Sequence, residues 1–112
     1  MIRRGEVYWV KLDPIKGSEI GKTRPALVIS NNINNEFADT VTVIPITSSI
    51  GKVYPFEVFI KKDIANVSND SKAKANQIRT VDKKRLKERI GIIPDEILKK
   101  IEKAVKIHLE IH

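Results

Sequence analysis

The segment of this sequence whose residue types best suit phosphate chemistry is a polar stretch at residues 13–24. Gly17 and Gly21 allow its backbone to approach a ligand closely. Its cations and hydroxyls can neutralise and orient an anion, and they are Lys16, Ser18, Lys22, Thr23 and Arg24. The stretch matches neither a Walker motif nor a dinucleotide fingerprint. It therefore predicts an anion-binding loop, with a purely structural loop as the alternative.

Arg24 directly precedes an apolar run at residues 25–30, which predicts a buried strand. The strand would hold the guanidinium in place, and its planar fork fits a phosphate group. A salt bridge to Glu19 or Asp13 is the structural alternative.

Hydroxyl and amide side chains follow two later apolar segments. Thr47 and Ser48 end the third predicted strand, where hydroxyls can donate to a phosphate or satisfy a turn. Asn76, Gln77 and Arg79 end a weaker strand. Amides suit the edges of bases, and arginine suits a phosphate or a stacked base. The alternative is the ordinary polarity of an edge strand.

Positive charge is concentrated in the second half of the chain. The 112 residues carry 21 Lys and Arg against 14 Asp and Glu, a net charge of +7. Residues 72–89 alone hold eight basic and two acidic residues, a net +6. A concentrated basic stretch favours an anionic partner, most commonly nucleic acid, over a solvated lysine-rich face. It lacks the large aromatic residues of a membrane-surface helix.

Several classes of chemistry are excluded by composition. The chain has no cysteine, which removes disulfides, thiolate zinc sites and cysteine nucleophiles. Its two histidines, His108 and His112, are too few for a three-histidine metal site. We therefore expect neither a metal nor a cofactor. No apolar run approaches the ~20 residues of a membrane span, and no signal-peptide core is evident. We expect a cytoplasmic protein.

The predicted elements are five or six short strands followed by one helix. The strands fall at residues 6–12, 25–30, 40–47, 55–60 and, more weakly, 71–81. We expect a turn or short helix near residue 31, a helical turn within 83–89, and an amphipathic helix after Pro94. The strand aromatics Tyr8, Trp9, Phe56 and Phe59 are expected mainly in the core. This order predicts a single α+β domain over residues 1–112, with its strands closed into a small barrel.

Five pieces of the sequence, in order, resemble the MazF/PemK toxin family. They are RGEVYW at residues 4–9, the segment 13–30 with its G-S-E and R-P pieces, P-I-T-S at 45–48, YPFEV at 54–58, and NQIRTVD at 76–82. The resemblance covers essentially the whole chain and includes the final helix. It implies a small SH3-like antiparallel β-barrel with a C-terminal helix.

The resemblance also implies an activity and partners. Members are toxins of toxin–antitoxin pairs, metal-independent endoribonucleases that cut single-stranded RNA at specific sequences and stop translation. They act as homodimers, and a cognate antitoxin lays a disordered segment over the RNA groove. The family's catalytic arginine and threonine fall on Arg24 and Thr47. Because arginine is a poor base at neutral pH, Glu19 is a candidate proton acceptor. The expected RNA-binding residues are Gly17, Ser18, Lys22, Asn31, Ser48, Asn76, Gln77 and Arg79.

One residue departs from the family pattern, and two other functions compete. Asn76 stands where many members carry an acidic residue, which bears on base preference more than on catalysis. A non-catalytic nucleic-acid-binding barrel would share the basic stretch but would need no pairing of Arg24 with Thr47. A poison of a protein target, as in the CcdB family that acts on DNA gyrase, has a similar fold. The R-P and P-x-T-S pieces favour the nuclease.

Overall fold

The computed structural model describes all of residues 1–112. It contains seven strands, two α-helices and three short 3-10 helices. The strands are β1 (Glu6–Lys11), β2 (Thr23–Val28), β3 (Thr40–Thr47), β4 (Glu57–Ile60), β5 (Ser71–Lys74), β6 (Arg79–Asp82) and β7 (Leu86–Ile92). The helices are α1 (Asn32–Phe37) and α2 (Asp95–Leu109), and the 3-10 helices are Ile64–Asn66, Ala75–Gln77 and Lys83–Arg85. Neither α-helix has the length and apolar character that crossing a membrane would require.

All strand pairs are antiparallel, and β3 is the strand on which the sheet is organised. The strand order is β4–β5–β3–β2–β1–β7, with β6 also paired to β3. The predicted α+β class, with an antiparallel sheet and a C-terminal helix, is confirmed. The sheet does not close by hydrogen bonding, however, because β4 and β7 are not paired with each other.

Pro45 lies where β3 changes partner. On one side of β3, β6 pairs with residues 40–43 and β5 pairs with Ile46 and Thr47. Pro45 has no N–H to donate, and it falls in the gap between these two ladders, while its other side pairs with Ala26 of β2. Proline is therefore tolerated at this position of a central strand, because neither ladder uses an N–H of residue 45.

The region from residue 71 to residue 92 differs most from the sequence prediction. The single weak strand predicted at 71–81 is two strands, β5 and β6, with a 3-10 helix between them. The predicted helical turn within 83–89 is only a 3-10 helix at Lys83–Arg85, and β7 begins directly after it. Strand propensity in β7 is low, and its pairing with β1 decides its conformation.

Two apolar clusters bury both faces of the central strands. Leu27 of β2 belongs to the larger cluster, which also holds Ile101 and Ala104 of α2. Its neighbours Ala26 and Val28 belong to a second, valine-rich cluster. Because successive strand residues point to opposite faces, β2 is apolar throughout rather than alternating.

The expectation that the strand aromatics lie in the core is wrong for two of them. Trp9 is 41% exposed and Phe59 is 44% exposed, while Tyr8 and Phe56 are half-buried. The fully buried positions on both faces are taken by smaller residues, chiefly valine and isoleucine. The larger rings therefore lie at positions that open to solvent.

Replacing Ile101 by alanine tests the attachment of α2 to the sheet. Ile101 is fully buried, so we expect Ile101→Ala to lower the free energy of unfolding by about 2–5 kcal/mol in urea titrations. Ile107→Ala is the matched control on the same helix, since Ile107 is 45% exposed, and a smaller loss is expected. Equal losses in the two variants would contradict the described packing.

Candidate active site

The register of β2 on β3 aligns Arg24 with Thr47 when it is continued beyond the last paired residues. The last paired residues are Ala26 and Pro45, and the same register continued by two residues brings Arg24 level with Thr47. Residues directly opposite each other in antiparallel strands project from the same face of the sheet. The two residues predicted to be catalytic, which are far apart in sequence, therefore share one face at the end of this ladder.

Arg24 carries a charge that no side chain of the protein neutralises. Its Nε donates to the carbonyl of Gly21 at 3.0 Å, which fixes the plane of the guanidinium. The ion pairs of the chain all involve other residues, so the predicted alternative of a salt bridge to Glu19 or Asp13 is not formed. The half-buried guanidinium is thus available to an anion.

Thr47 has a largely buried hydroxyl with a donor to spare. The residue is 8% exposed, and its Oγ1 accepts a hydrogen bond from the backbone N–H of Ser49 at 3.1 Å. Because this bond uses only a lone pair of the oxygen, the hydroxyl hydrogen remains to be donated. A phosphoryl oxygen is a suitable acceptor.

Gln77 and Arg79 hold the polar loop in place. Gln77 Oε1 accepts from the backbone N–H of Ile20 at 3.2 Å, and Arg79 Nη2 donates to the carbonyl of Ile20 at 2.8 Å. The side chain of Ile20 packs against the valine-rich cluster. Both residues were predicted to contact RNA. In the structure they also anchor this loop, which sequence reasoning missed.

The tip of the loop is exposed and does not contact Arg24. Glu19 Oε1 accepts from the backbone N–H of Lys16 at 2.6 Å, which closes a turn through Gly17 and Ser18. Gly17 has a φ of +56°, a conformation that favours glycine. Glu19 makes no ion pair with Arg24, so its role as proton acceptor stays a prediction.

The remaining predicted contacts have distinct local surroundings. Lys22 is exposed, and its backbone N–H donates to Asp13 Oδ1 at 2.8 Å. Asn31 caps α1, since its Oδ1 accepts from the backbone N–H of Asn34 at 2.8 Å. Asn76 has a buried Oδ1 with no hydrogen-bond partner. Asn76 therefore has an acceptor that the fold itself leaves unused.

A cavity of about 200 Å³ lies beside Arg24. Arg24 and Ser48 are the members of the predicted set that line it, whereas Thr47 and the loop tip do not. The rest of its wall includes Trp9 and residues 66–69. Sequence reasoning missed this wall, and the one available signal was the run of asparagine and serine in NVSN.

A buried cluster of charges lies next to Thr47. Lys72 pairs with Thr47 across the strands, and its Nζ lies 2.9 Å from Glu57 Oε1. Lys74 Nζ lies 3.4 Å from Glu57 Oε2, and the Glu57 side chain is only 1% exposed. Lys72 also donates to the carbonyl of Lys52. The cluster thereby fixes the loop that follows Thr47.

Glu57 is ionised more readily than an ordinary glutamate. Burial by itself raises its pKa, but hydrogen bonds from the Tyr54 backbone N–H and from Lys72, together with the Lys72 charge, outweigh burial. The net pKa of Glu57 is therefore lowered. The carboxylate stays charged at neutral pH and keeps both lysines in place.

The fold is that of a small, basic, antiparallel β protein with an unneutralised arginine beside a cavity, and known proteins share this architecture. The chain is 41% identical to Endoribonuclease MazF9 of Mycobacterium tuberculosis, over 99% of this chain and 98% of the relative. It matches a crystal structure of MazF from Deinococcus radiodurans with a TM-score of 0.84 and 29% identity, over 97% of this chain and 96% of that one. A MazE–MazF structure from the same organism gives a TM-score of 0.77 at 25% identity, over 99% of this chain and 97% of that one.

The family model described as "PemK-like, MazF-like toxin of type II toxin-antitoxin system" matches residues 3–109. The chain belongs to this family. The resemblance that the sequence motifs indicated is therefore confirmed.

Replacing Arg79 tests how the polar loop is anchored. In Arg79→Met we expect the backbone amides of Leu12, Ile20 and Lys22 to exchange their hydrogens about tenfold faster or more, because a charge-assisted hydrogen bond is lost. Hydrogen exchange followed by mass spectrometry measures this change. Arg3→Met, at an exposed position, is the control. Unchanged exchange in Arg79→Met would show that the loop is held by other contacts.

Because of Glu57, we expect the free energy of unfolding to fall as the solution is made acidic. The pKa of Glu57 is lower in the folded protein than in the unfolded chain. Its contribution to the free energy of unfolding is therefore complete above the ordinary glutamate pKa of ~4.3, and it is lost as the pH falls below that value. We expect Glu57→Gln to unfold with about 3–5 kcal/mol less free energy at pH 7, since Lys72 stays buried without its partner. Urea titrations should also show a shallower loss of stability below pH ~4.3. Glu88→Gln, at an exposed position of β7, should leave both quantities near wild type. An unaltered pH dependence in Glu57→Gln would contradict this role.

Proposed function

We propose that this MazF-type toxin endoribonuclease cleaves single-stranded RNA, without a metal ion, at the site built around Arg24 and Thr47. The observation that carries the proposal is the β2–β3 register, whose continuation supports placing the unneutralised guanidinium of Arg24 level with the hydroxyl of Thr47. One group supplies positive charge and the other a hydrogen bond, and an RNA phosphate can use both. RNA brings its own nucleophile, the 2′-hydroxyl.

The chemistry follows from what these groups do for a phosphodiester. The 2′-oxygen forms a bond to phosphorus while the bond from phosphorus to the 5′-oxygen breaks. Arg24 clamps the phosphate and stabilises the charge that gathers on its oxygens, and Thr47 donates to one of them. The 2′-hydroxyl proton passes to an acceptor, for which Glu19 is the candidate, and the 5′-oxygen takes a proton from solvent water. The products are a 2′,3′-cyclic phosphate and a 5′-hydroxyl.

The proposed partners are single-stranded RNA, a cognate antitoxin and a second copy of the chain. The net charge of +7 supports an RNA partner. Membership of a toxin–antitoxin family and the MazE–MazF structures of the Deinococcus relative support the antitoxin. We place the activity in the cytoplasm, where mRNA is translated, and assign it to one toxin domain spanning residues 1–112.

Alanine substitutions at the two central residues test the site. We expect Arg24→Ala to lose at least ~100-fold in the rate of RNA cleavage, and Thr47→Ala somewhat less, because each removes a stabilising contact to the phosphate. The measurement is the cleavage rate of a long single-stranded RNA in excess chelator, with mapped fragment ends. Arg3→Ala controls for the loss of an exposed arginine elsewhere.

Three outcomes separate this proposal from its competitors. Near wild-type cleavage by Arg24→Ala would remove the site assignment. Intact RNA that still binds in a salt-dependent way would favour a non-catalytic binding protein. Intact RNA with no binding would point to a protein target.

A further inference from the structure

One wall of the cavity beside Arg24 has no part in the cleavage chemistry described above. Trp9 of β1 forms part of it, and residues 66–69 form the rest. Trp9 is 41% exposed and is the only tryptophan of the chain. A large ring that the core does not bury offers a flat aromatic face to a ligand.

The cavity has both apolar and polar walls. Pro25, Ile46, Val67 and Ile90 supply apolar surface, and the exposed polar residues around them include Ser48, Ser68 and Asn69. Its volume of about 200 Å³ is less than the ~300–1,000 Å³ of sites for drug-sized molecules. The cavity suits one planar ring system with a polar edge.

The backbone that supplies the far wall is held in a disfavoured conformation. Asp63, Ala65 and Asn66 have φ values of +76°, +51° and +61°, a region that non-glycine residues rarely adopt. A Cβ on Gly91 of β7 would lie 2.7 Å from the Ala65 carbonyl oxygen, which is too close. Only glycine at this position allows β7 to pack against the backbone of Ala65. Asn66 Nδ2 also donates to the carbonyl of Ile90 at 2.9 Å. Strain that the surroundings maintain in this way is characteristic of functional sites.

The cavity is continuous with the proposed cleavage site. Arg24 and Ser48 line it, and Trp9 pairs with Pro25, the residue directly after Arg24. Trp9 therefore projects from the face opposite to that of Arg24, and the cavity extends from the strand end around to this face. When one phosphate of an RNA strand lies at Arg24, a neighbouring base can therefore reach the cavity.

We propose, on the basis of the proposed function, that this cavity binds one nucleobase of the RNA next to the cleaved phosphate. The base stacks against the indole of Trp9, and its polar edge faces Ser68 and Asn69. Stacking on an aromatic ring gives affinity with little regard to sequence, and amide side chains distinguish base edges. Trp9 is thus an affinity determinant, and Asn69 is a determinant of base preference.

The single tryptophan provides a direct readout of binding. The probe is a 2′-O-methyl RNA oligonucleotide of the mapped cleavage sequence, which lacks the nucleophilic hydroxyl. We expect the emission of Trp9 to be quenched in a saturable way as the probe binds. Trp9→Leu should bind the probe about tenfold more weakly or worse, as measured by anisotropy of a labelled probe, and Trp9→Phe should retain most of the affinity. Phe59→Leu is the matched control, because Phe59 is exposed to the same extent but does not line the cavity.

Fragment mapping provides the second readout. We expect Asn69→Ala to alter the base preference at one position beside the cut, because the amide that faces the base edge is removed. If Trp9→Leu does not fold, the emission of the wild-type protein and the Asn69→Ala profile decide the question.

The outcomes distinguish this subsite from the cleavage activity itself. If the wild type cleaves RNA but its emission does not respond to the probe, and Asn69→Ala keeps the wild-type base preference, the subsite is overturned and the nuclease stands. Emission that responds to the antitoxin but to no RNA also overturns the subsite and assigns the cavity to the protein partner. A wild type that neither binds nor cleaves RNA overturns the subsite and the proposed function together.

Discussion

The antiparallel pairing of β2 with β3 is the constraint on which the rest of the structure depends. It buries both faces of β2 and brings Arg24 level with Thr47 at the end of the ladder. Pro45 gives β3 a position with no donor, at the point where its other partner changes from β6 to β5. That change brings Lys72 beside Thr47. The site is thus built on paired strands, while exposed loops lie at its edges.

Charged and amide side chains act here chiefly as anchors for loops. Arg79 and Gln77 hold the polar loop before Arg24 through the backbone of Ile20. Glu57 and Lys72 hold the loop after Thr47 through backbone groups of that loop. Hydrogen bonds that involve a charged group are stronger than neutral ones, so a few of them are enough to hold each loop in place. The loops on both sides of the site are therefore held by residues other than Arg24 and Thr47.

Local patterns predicted the elements better than they predicted which side chains meet. The strand at Thr40–Thr47 and the final helix were predicted correctly because the pattern of apolar residues in these two segments is strong. The placement of Arg24 and Thr47 followed from motifs of a family to which the chain belongs. Lys72 could not be recognised as an anchor, since the β4–β5 register sets Glu57 opposite Lys74 and only diagonally across from Lys72. Residues 66–69 were missed because the positive φ values of Asp63, Ala65 and Asn66, which direct the chain into this segment, leave no reliable mark in sequence.

The central claim is that the RNA supplies its own nucleophile to a phosphate held by Arg24 and Thr47. The most direct test is to replace the nucleotide on the 5′ side of a mapped cut by its 2′-deoxy form and measure cleavage at that bond. The account predicts that cleavage there stops, while neighbouring unmodified sites still yield 2′,3′-cyclic phosphate and 5′-hydroxyl ends. Cleavage of the 2′-deoxy bond at an undiminished rate would show that water or a protein group attacks phosphorus, and would contradict the account.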